Sequence, residues 1–278
     1  MAHALRNAGF ELVVWNRSSD SARRLADELG ATVADRPADV SAGVDVALSM
    51  LADGAAVDAV YGGPDGLAAG ARSGAVLIDC STVPPATLRG HQAAIQARGA
   101  GVLDAPVSGS VSLAESGKLT LMVGGDAADV ERAGPVLDAI GARRFHLGPL
   151  GSGAAMKLAV NTVIFGLNEA LAEGLVLAEA AGIDRTAAYD VLAASAVAAP
   201  YVGYKRAAFL EPEATPVAFA LDLAAKDLRL IGELADGVGL TLPQAATNLA
   251  VIESTAAESG GDRDFSTVAG YLGERRHR

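Results

Sequence analysis

The 278 residues, 51% of them apolar, suffice for one large or two medium domains around a substantial core. A formal net charge of −11 argues against binding a nucleic-acid backbone or an anionic membrane, both of which call for clustered Lys and Arg. The single cysteine, Cys80, excludes an internal disulfide and a cysteine-cluster metal site, and neither a signal-peptide order nor a membrane-length apolar run is visible, so a soluble cytoplasmic protein acting on small molecules is expected.

The chain opens on a short amphipathic helix in "MAHALRNAG", followed by the apolar run "ELVVWN" at 11–16. Further strand-like runs are "DVALSML" at 45–51, "AVLIDC" at 75–80, "GVLDAPV" at 101–107, "LTLMVGG" at 119–125 and "RRFHLG" at 143–148. Short runs, apolar on both faces and separated by helical patterns, predict a parallel, doubly wound α/β sheet over 1–149. After Gly153 the strand signals stop, and "AAMKLAVNTVIFGLNEALAEGLVLAEAAG" starts an all-helical half over 150–278. Gly182 reads as a helix C-cap, Asp184 as the next N-cap, and Pro243 as near another helix start. Apolar residues on more than one face of the long helix predict burial between domains or subunits, and a homodimer or homotetramer built through the helical half.

Several residues lie where chemistry is expected. Asn16, Arg17 and Ser18 end the first strand, where a nucleotide-binding fold meets the adenine ribose. An acid there accepts from the 2′-OH of NAD, whereas Arg with small polar partners suits the 2′-phosphate of NADP, so NADP is favoured with NAD still open. Ser18 or Asp20 also suits as a cap for the following helix. Ser108 and Gly109 follow a strand and can offer a hydroxyl and backbone N–H groups to an anion, although, taken alone, an ordinary Ser/Gly loop is the preferred explanation. Lys157 and Asn161 sit one turn apart on the long apolar helix, where a lysine suits a general acid and base, or lays its stem on apolar surface with its amine in water. Lys226 belongs to a stripe with Phe219, Leu223 and Leu230, and either closes over a site or pairs with Asp222 or Asp227. His3, His91, His146 and His277 are scattered, so no metal site is expected. No nucleophile elbow or P-loop occurs.

In order, "VVWNRS" at 13–18, "SMLAD" at 49–53, "DCSTVPPAT" at 79–87, "DAPVSGSVSLAESGKLTLMVGG" at 104–125, "GSGAAMKLAVNT" at 151–162 and "LAAKDLRL" at 223–230 resemble the β-hydroxyacid dehydrogenase family, that of 3-hydroxyisobutyrate dehydrogenase, tartronate-semialdehyde reductase and the glyoxylate/succinic-semialdehyde reductases. The resemblance spans essentially the whole chain. It implies a dinucleotide-binding domain over 1–149, a helical substrate and dimerisation domain over 150–278, and hydride exchange between NADP(H) or NAD(H) and a short 3-hydroxy acid or its semialdehyde. By position, Lys157 resembles the catalytic lysine, Asn161 the asparagine beside it, Ser108 and Gly109 the loop holding the substrate carboxylate, and Lys226 a lysine reaching toward cofactor and substrate. Leu51, Ala52, Ser81 and Thr82 match positions that flank the cofactor.

Two departures stand out. Ser110 replaces the second glycine of the family's Ser-Gly-Gly, either narrowing the carboxylate loop or adding a hydroxyl. A first strand and G-x-G-x-M-G turn are also missing ahead of "MA", as if translation truly started upstream. Without that strand, which is central in the doubly wound order, two neighbouring strands are expected to lack a ladder partner. The competing readings are an imine reductase, against which Lys157 counts, and a cofactor-poor, non-catalytic remnant.

Overall fold

The run Val76-Leu77-Ile78-Asp79 lacks the polar alternation of a half-exposed strand, and in the computed structural model, which describes residues 1–275, all four residues are buried. His277 lies outside the described residues. The chain divides into two compact units, Met1–Lys157 and Leu158 onward.

The first unit runs α1 (Ala2–Asn7), β1 (Val13–Val14), α2 (Ser19–Leu29), β2 (Thr32–Val33), α3 (Pro37–Ala42), β3 (Val46–Ser49), α4 (Gly54–Tyr61), α5 (Leu67–Gly70), β4 (Val76–Asp79), α6 (Pro85–Ala97), β5 (Gly101–Asp104), β6 (Val107–Ser108), α7 (Val111–Glu115), β7 (Leu119–Gly125), α8 (Ala127–Arg132), α9 (Gly134–Ile140) and β8 (Gly141–His146). Strands β3, β4 and β5 pair in parallel, and helices cover both faces. Leu77 and Val102 pack with Val57, Leu88 and Ile95 on one side, while Val76, Ile78 and Leu103 pack with Val130, Leu137 and Ile140 on the other.

The doubly wound, predominantly parallel sheet is as expected, with one reversed strand and one shortened strand. It is not parallel throughout, because β7 runs antiparallel to both β5 and β6 before β8 pairs with it in parallel. The connection over 109–118 is too short for a parallel crossover, so the chain turns back through α7. The first run is also not a full strand: β1 shrinks to Val13–Val14, paired only with β2, an exposed two-residue strand without a sequence signal.

As expected, two strands lack a partner. β1 and β2 form a separate two-stranded sheet, and β3 ends the larger one, paired with β4 alone. The open edges of β1 and β3 both line an apolar cavity of about 180 Å³, with Val13, Val14, Val46, Ala47 and Leu48 among its walls.

Helix α10 (Ser152–Ala180) begins in the first unit and continues into the second. There it is followed by α11 (Arg185–Ala194), α12 (Pro200–Leu210), α13 (Leu221–Gly237), α14 (Pro243–Ser259) and α15 (Val268–Glu274). Asp184 caps α11 by accepting from the Ala187 N–H at 3.0 Å, Pro243 opens α14, and Gly182 adopts a φ of +87° just past α10. The core gathers Phe165, Tyr201, Leu228, Ile252 and Phe265, with Phe165 and Phe265 edge to face. The stripe drawn through Phe219, Leu223, Lys226 and Leu230 is not the buried face of α13. Phe219 precedes the helix, Leu223 is exposed, and the buried positions are Leu221, Ala224, Ala225, Leu228 and Ile231.

Glu169 of α10 is only 6% exposed, and its Oε1 has no hydrogen-bond partner among the described residues. Burial pushes its carboxyl up to about 7, against a favourable hydrogen bond from Asn168 and with the Glu173 charge adding to the rise. Between the ordinary glutamate value and 7 the folded chain therefore binds more protons than the unfolded one, so stability falls as pH rises across that window. Denaturant melts should show the native chain losing up to about 3 kcal/mol between pH 4.5 and 8, and Glu169→Gln losing none of it. Parallel pH curves for the two proteins would refute the assignment.

Candidate active site

The C-terminal ends of parallel strands carry many of the expected residues, and a buried network fixes two of these loops, those after β3 and β4. Asp79, at the end of β4, is 1% exposed and accepts from Ser49 Oγ and Ser81 Oγ, each at 2.7 Å. Tyr61 OH lies 2.9 Å from Ser49 Oγ, and the Leu51 N–H donates to Ser81 Oγ at 2.8 Å. One carboxyl thus ties together the loops carrying Leu51 and Ala52, after β3, and Ser81 and Thr82, after β4. Burial raises its pKa, the two serine hydroxyls oppose the rise, and neighbouring Asp104 adds to it.

Beyond β1, Asn16 Oδ1 accepts from the Ser18 N–H at 2.9 Å, forming a turn that leaves Arg17 exposed and without an ion pair among the described residues. Ser18 occupies the N-cap position of α2, but its side chain makes no capping bond, so the expected cap by Ser18 or Asp20 is not made.

The second loop begins where Ser108 of β6 pairs with Thr120 of β7. Gly109 follows with a φ of +147°, and a Cβ there would lie 2.8 Å from Leu119 Cδ2, so glycine is required on both counts. Ser110 caps α7, its Oγ accepting from the Leu113 N–H at 3.4 Å and lying 2.8 Å from Ser112 Oγ.

Lys157 is half-buried near the start of α10. The first amides of that helix donate to a strand residue: Asp104 Oδ1 accepts from Gly151 N–H at 2.7 Å and Oδ2 from Ala154 N–H at 2.6 Å. Burial raises the pKa of Asp104, partly offset by these two bonds and by the Arg89 charge.

In the second unit, Asn161 is 6% exposed and its Nδ2 donates to Asp227 Oδ2 at 2.7 Å, while Lys226 Nζ lies 2.8 Å from Asp227 Oδ1. The structure therefore joins Asn161 and Lys226 through Asp227, and places Lys157 and Asn161 one turn apart on α10. The ion pair anticipated for Lys226 is present, with a buried partner. Three carboxyls, Asp79, Asp104 and Asp227, were not picked out as site residues. The available signal was a charge at a position where strand or helix periodicity requires an apolar side chain. A charged cavity of about 420 Å³ lined by Arg185, Glu213, Glu258, Arg263, Tyr271 and Glu274 holds none of the site residues. Among the described residues no group of His, Cys, Asp and Glu has a metal-holding arrangement.

Residues 1–148 match the family model for the NAD-binding domain of 6-phosphogluconate dehydrogenase, and residues 151–272 that for the NAD-binding domain of NADP-dependent 3-hydroxyisobutyrate dehydrogenase. The chain is 36% identical over 268 residues to glyoxylate/succinic semialdehyde reductase 2 of Arabidopsis thaliana, covering 96% of this chain and 74% of that protein. It is 33% identical to the NAD-dependent L-serine dehydrogenase of Pseudomonas aeruginosa, with 96% and 92% covered. Among solved structures, 3-hydroxyisobutyrate dehydrogenase of Salmonella typhimurium superposes with a TM-score of 0.87 at 28% identity, covering 97% of this chain and 95% of that one.

Proposed function

The chain belongs to the β-hydroxyacid dehydrogenase family, and from that membership we propose that it transfers a hydride between NADP(H) and a short 3-hydroxy acid or its semialdehyde, with Lys157 as general acid and base. The observation that carries this reading is the pair Lys157 and Asn161, one turn apart on a helix whose start is clamped by Asp104. The residues present suit the 2′-phosphate and supply the strand-end loops that flank the cofactor; the glycine-rich pyrophosphate turn is not among them. Arg17 is exposed beyond the end of β1 and makes no ion pair among the described residues, and the Asp79 network holds Leu51 and Ser81 at the ends of adjacent strands.

A nicotinamide cofactor, when bound, would supply or accept the hydride. In reduction the Lys157 ammonium donates a proton to the reacting oxygen, and in oxidation its amine takes the hydroxyl proton. Asn161, with its Nδ2 committed to Asp227, offers its carboxamide oxygen as an acceptor to the lysine or to the substrate hydroxyl. In the first unit Ser108 and the Gly109 N–H are the groups suited to a substrate carboxylate; in the second, Lys226, anchored by Asp227, is the cation suited to cofactor and substrate. Glyoxylate, succinic semialdehyde and L-serine, the compounds in the names of the relatives, each carry a carboxylate together with an aldehyde or hydroxyl group.

Assaying NADPH and NADH oxidation with glyoxylate and short semialdehydes, and NADP⁺ reduction with L-serine and 3-hydroxyisobutyrate, tests the reading; no turnover with either cofactor would overturn it. Arg17→Ala should weaken NADPH binding roughly 10- to 100-fold and leave NADH unchanged, the loss expected for a charge-assisted phosphate contact. An NADPH affinity unchanged from the native chain in that variant would assign the 2′-phosphate elsewhere. Imine reductases share the fold at 20% identity and a TM-score of 0.62, and Lys157 favours the hydroxy-acid chemistry over theirs.

No described helix is long and apolar enough to cross a membrane; a cytoplasmic location is part of the proposal. A homodimer or homotetramer forms through α10, where Met156, Val163 and Leu177 are 40%, 69% and 72% exposed along one helix. Light scattering at micromolar concentration should give at least a dimer, and a monomer for Val163→Glu; a monomeric native chain would refute the assembly.

A further inference from the structure

We propose that Asp104 is a positioning residue for the reaction, a buried carboxylate that sets the place of the Lys157 amine by clamping the first turn of α10. This rests on the reading of Lys157 given above.

The free N–H groups of a first helical turn are ordinarily taken by a side chain at the helix's own N-cap. Helix α10 is anchored instead to a strand, through a residue 47 positions before Gly151 and 50 before Ala154. Both carboxylate oxygens are used, at 2.7 and 2.6 Å, and Asp104 is only 3% exposed. Space for the clamp is cleared from two sides. A Cβ on Gly124, its partner across β7, would lie 2.4 Å from Asp104 Oδ1. A Cβ on Gly153 would lie 2.1 Å from the Met122 carbonyl oxygen and 3.0 Å from Asp104 Oδ2. Two glycines and one carboxylate therefore bring the start of α10 against the ends of β5 and β7.

Lys157 follows Ala154 by three residues, so any shift of the first turn carries the lysine with it. Displacement of a reacting group by about 1 Å costs on the order of 10²-fold in rate. The loop with Ser108 and Gly109 leaves the same strand end but is held separately, by the pairing of β6 with β7. Loss of the clamp therefore moves the lysine and spares the carboxylate loop.

The test is Asp104→Asn, with Asp104→Ser as a second variant that removes volume. Asparagine turns one acceptor into a donor facing a backbone N–H; serine keeps one short acceptor. Steady-state kinetics well below the melting temperature should show kcat lower by roughly 10- to 100-fold, with the substrate KM and the NADPH Kd within about twofold of native. In the Lys157→Ala background Asp104→Asn should add no further loss, because the clamp then has no amine to position. A lower melting temperature with unchanged kcat in whichever variant folds would make Asp104 merely structural and overturn the proposal. A raised KM at native kcat would overturn it too, assigning the carboxylate to the substrate loop. Full activity in Lys157→Ala alone would instead remove the reading of the lysine itself.

Discussion

Lys157→Met is expected to lower kcat by roughly 10²- to 10⁴-fold while NADPH affinity stays within a few-fold, the range supplied by one general acid and base. Methionine keeps the length and apolar character of the stem, so packing at this half-buried position changes little and the loss reports the amine. Lys226→Met provides the contrast. Its ammonium sits 2.8 Å from Asp227, and removing it leaves a carboxylate at a residue only 2% exposed that also holds Asn161. That change should therefore lower thermal stability as well as activity, whereas Lys157→Met should lower activity alone. A Lys157→Met enzyme within tenfold of native kcat would transfer the proton to another group and end the case for lysine catalysis.

The division between what the residues disclose alone and what only the fold discloses follows a physical line. Val76–Asp79 and Ser152–Ala180 are readable because burial imposes a local pattern, a short apolar run for the central strand and a long apolar stretch for the helix. Asp184 and Gly182 are readable because capping is local. Strand direction is not carried by an apolar run, so the reversal of β7 within a predominantly parallel sheet is legible only in the short 109–118 connection. Thr32–Val33 becomes a strand only because Val13–Val14 lies beside it.

The same line runs through the site. Lys157, Asn161, Ser108 and Gly109 announce themselves through residue type, place in the chain and resemblance. Asp79, Asp104 and Asp227 do not, because their partners lie elsewhere in the sequence: Ser49 across β3, Gly151 and Ala154 at the start of α10, and Asn161 on α10. For Lys226 the local stripe was misleading, since the buried period of α13 runs through Leu221, Ala224 and Leu228 and carries Asp227 inward with it. The chemistry-bearing groups are thus largely legible in the chain, and the carboxylates that hold them still are not.

Joining an apolar strand of about five residues and a glycine-rich turn ahead of Met1 is expected to raise the melting temperature on the order of 10 °C. β1 pairs only with β2 and β3 only with β4, and both open edges face the same apolar cavity of about 180 Å³. An inserted strand can satisfy N–H and C=O groups on both sides at about 1 kcal/mol per hydrogen bond, and bury side chains against Val13, Val14, Val46 and Leu48 at roughly 25 cal/mol per Å². The entropy of fixing the added residues, about 1–2 kcal/mol each, offsets much of this and leaves a net gain of a few kcal/mol. A second contribution comes from Met1, whose α-amine lies partly buried close to Glu115 and Cys80, with burial lowering its pKa. Extension converts that amine into a neutral amide and removes a partly desolvated charge. The control is the same extension with prolines at alternate strand positions, which cannot donate along one edge and should leave the melt where it was. Hydrogen exchange separates pairing from a mere increase in bulk: amides of Val13–Val14 and Val46–Ser49 should gain protection in the extended chain and not in the proline control. Unchanged exchange at both edges, at any melting temperature, would mean that the cavity does not accept a strand.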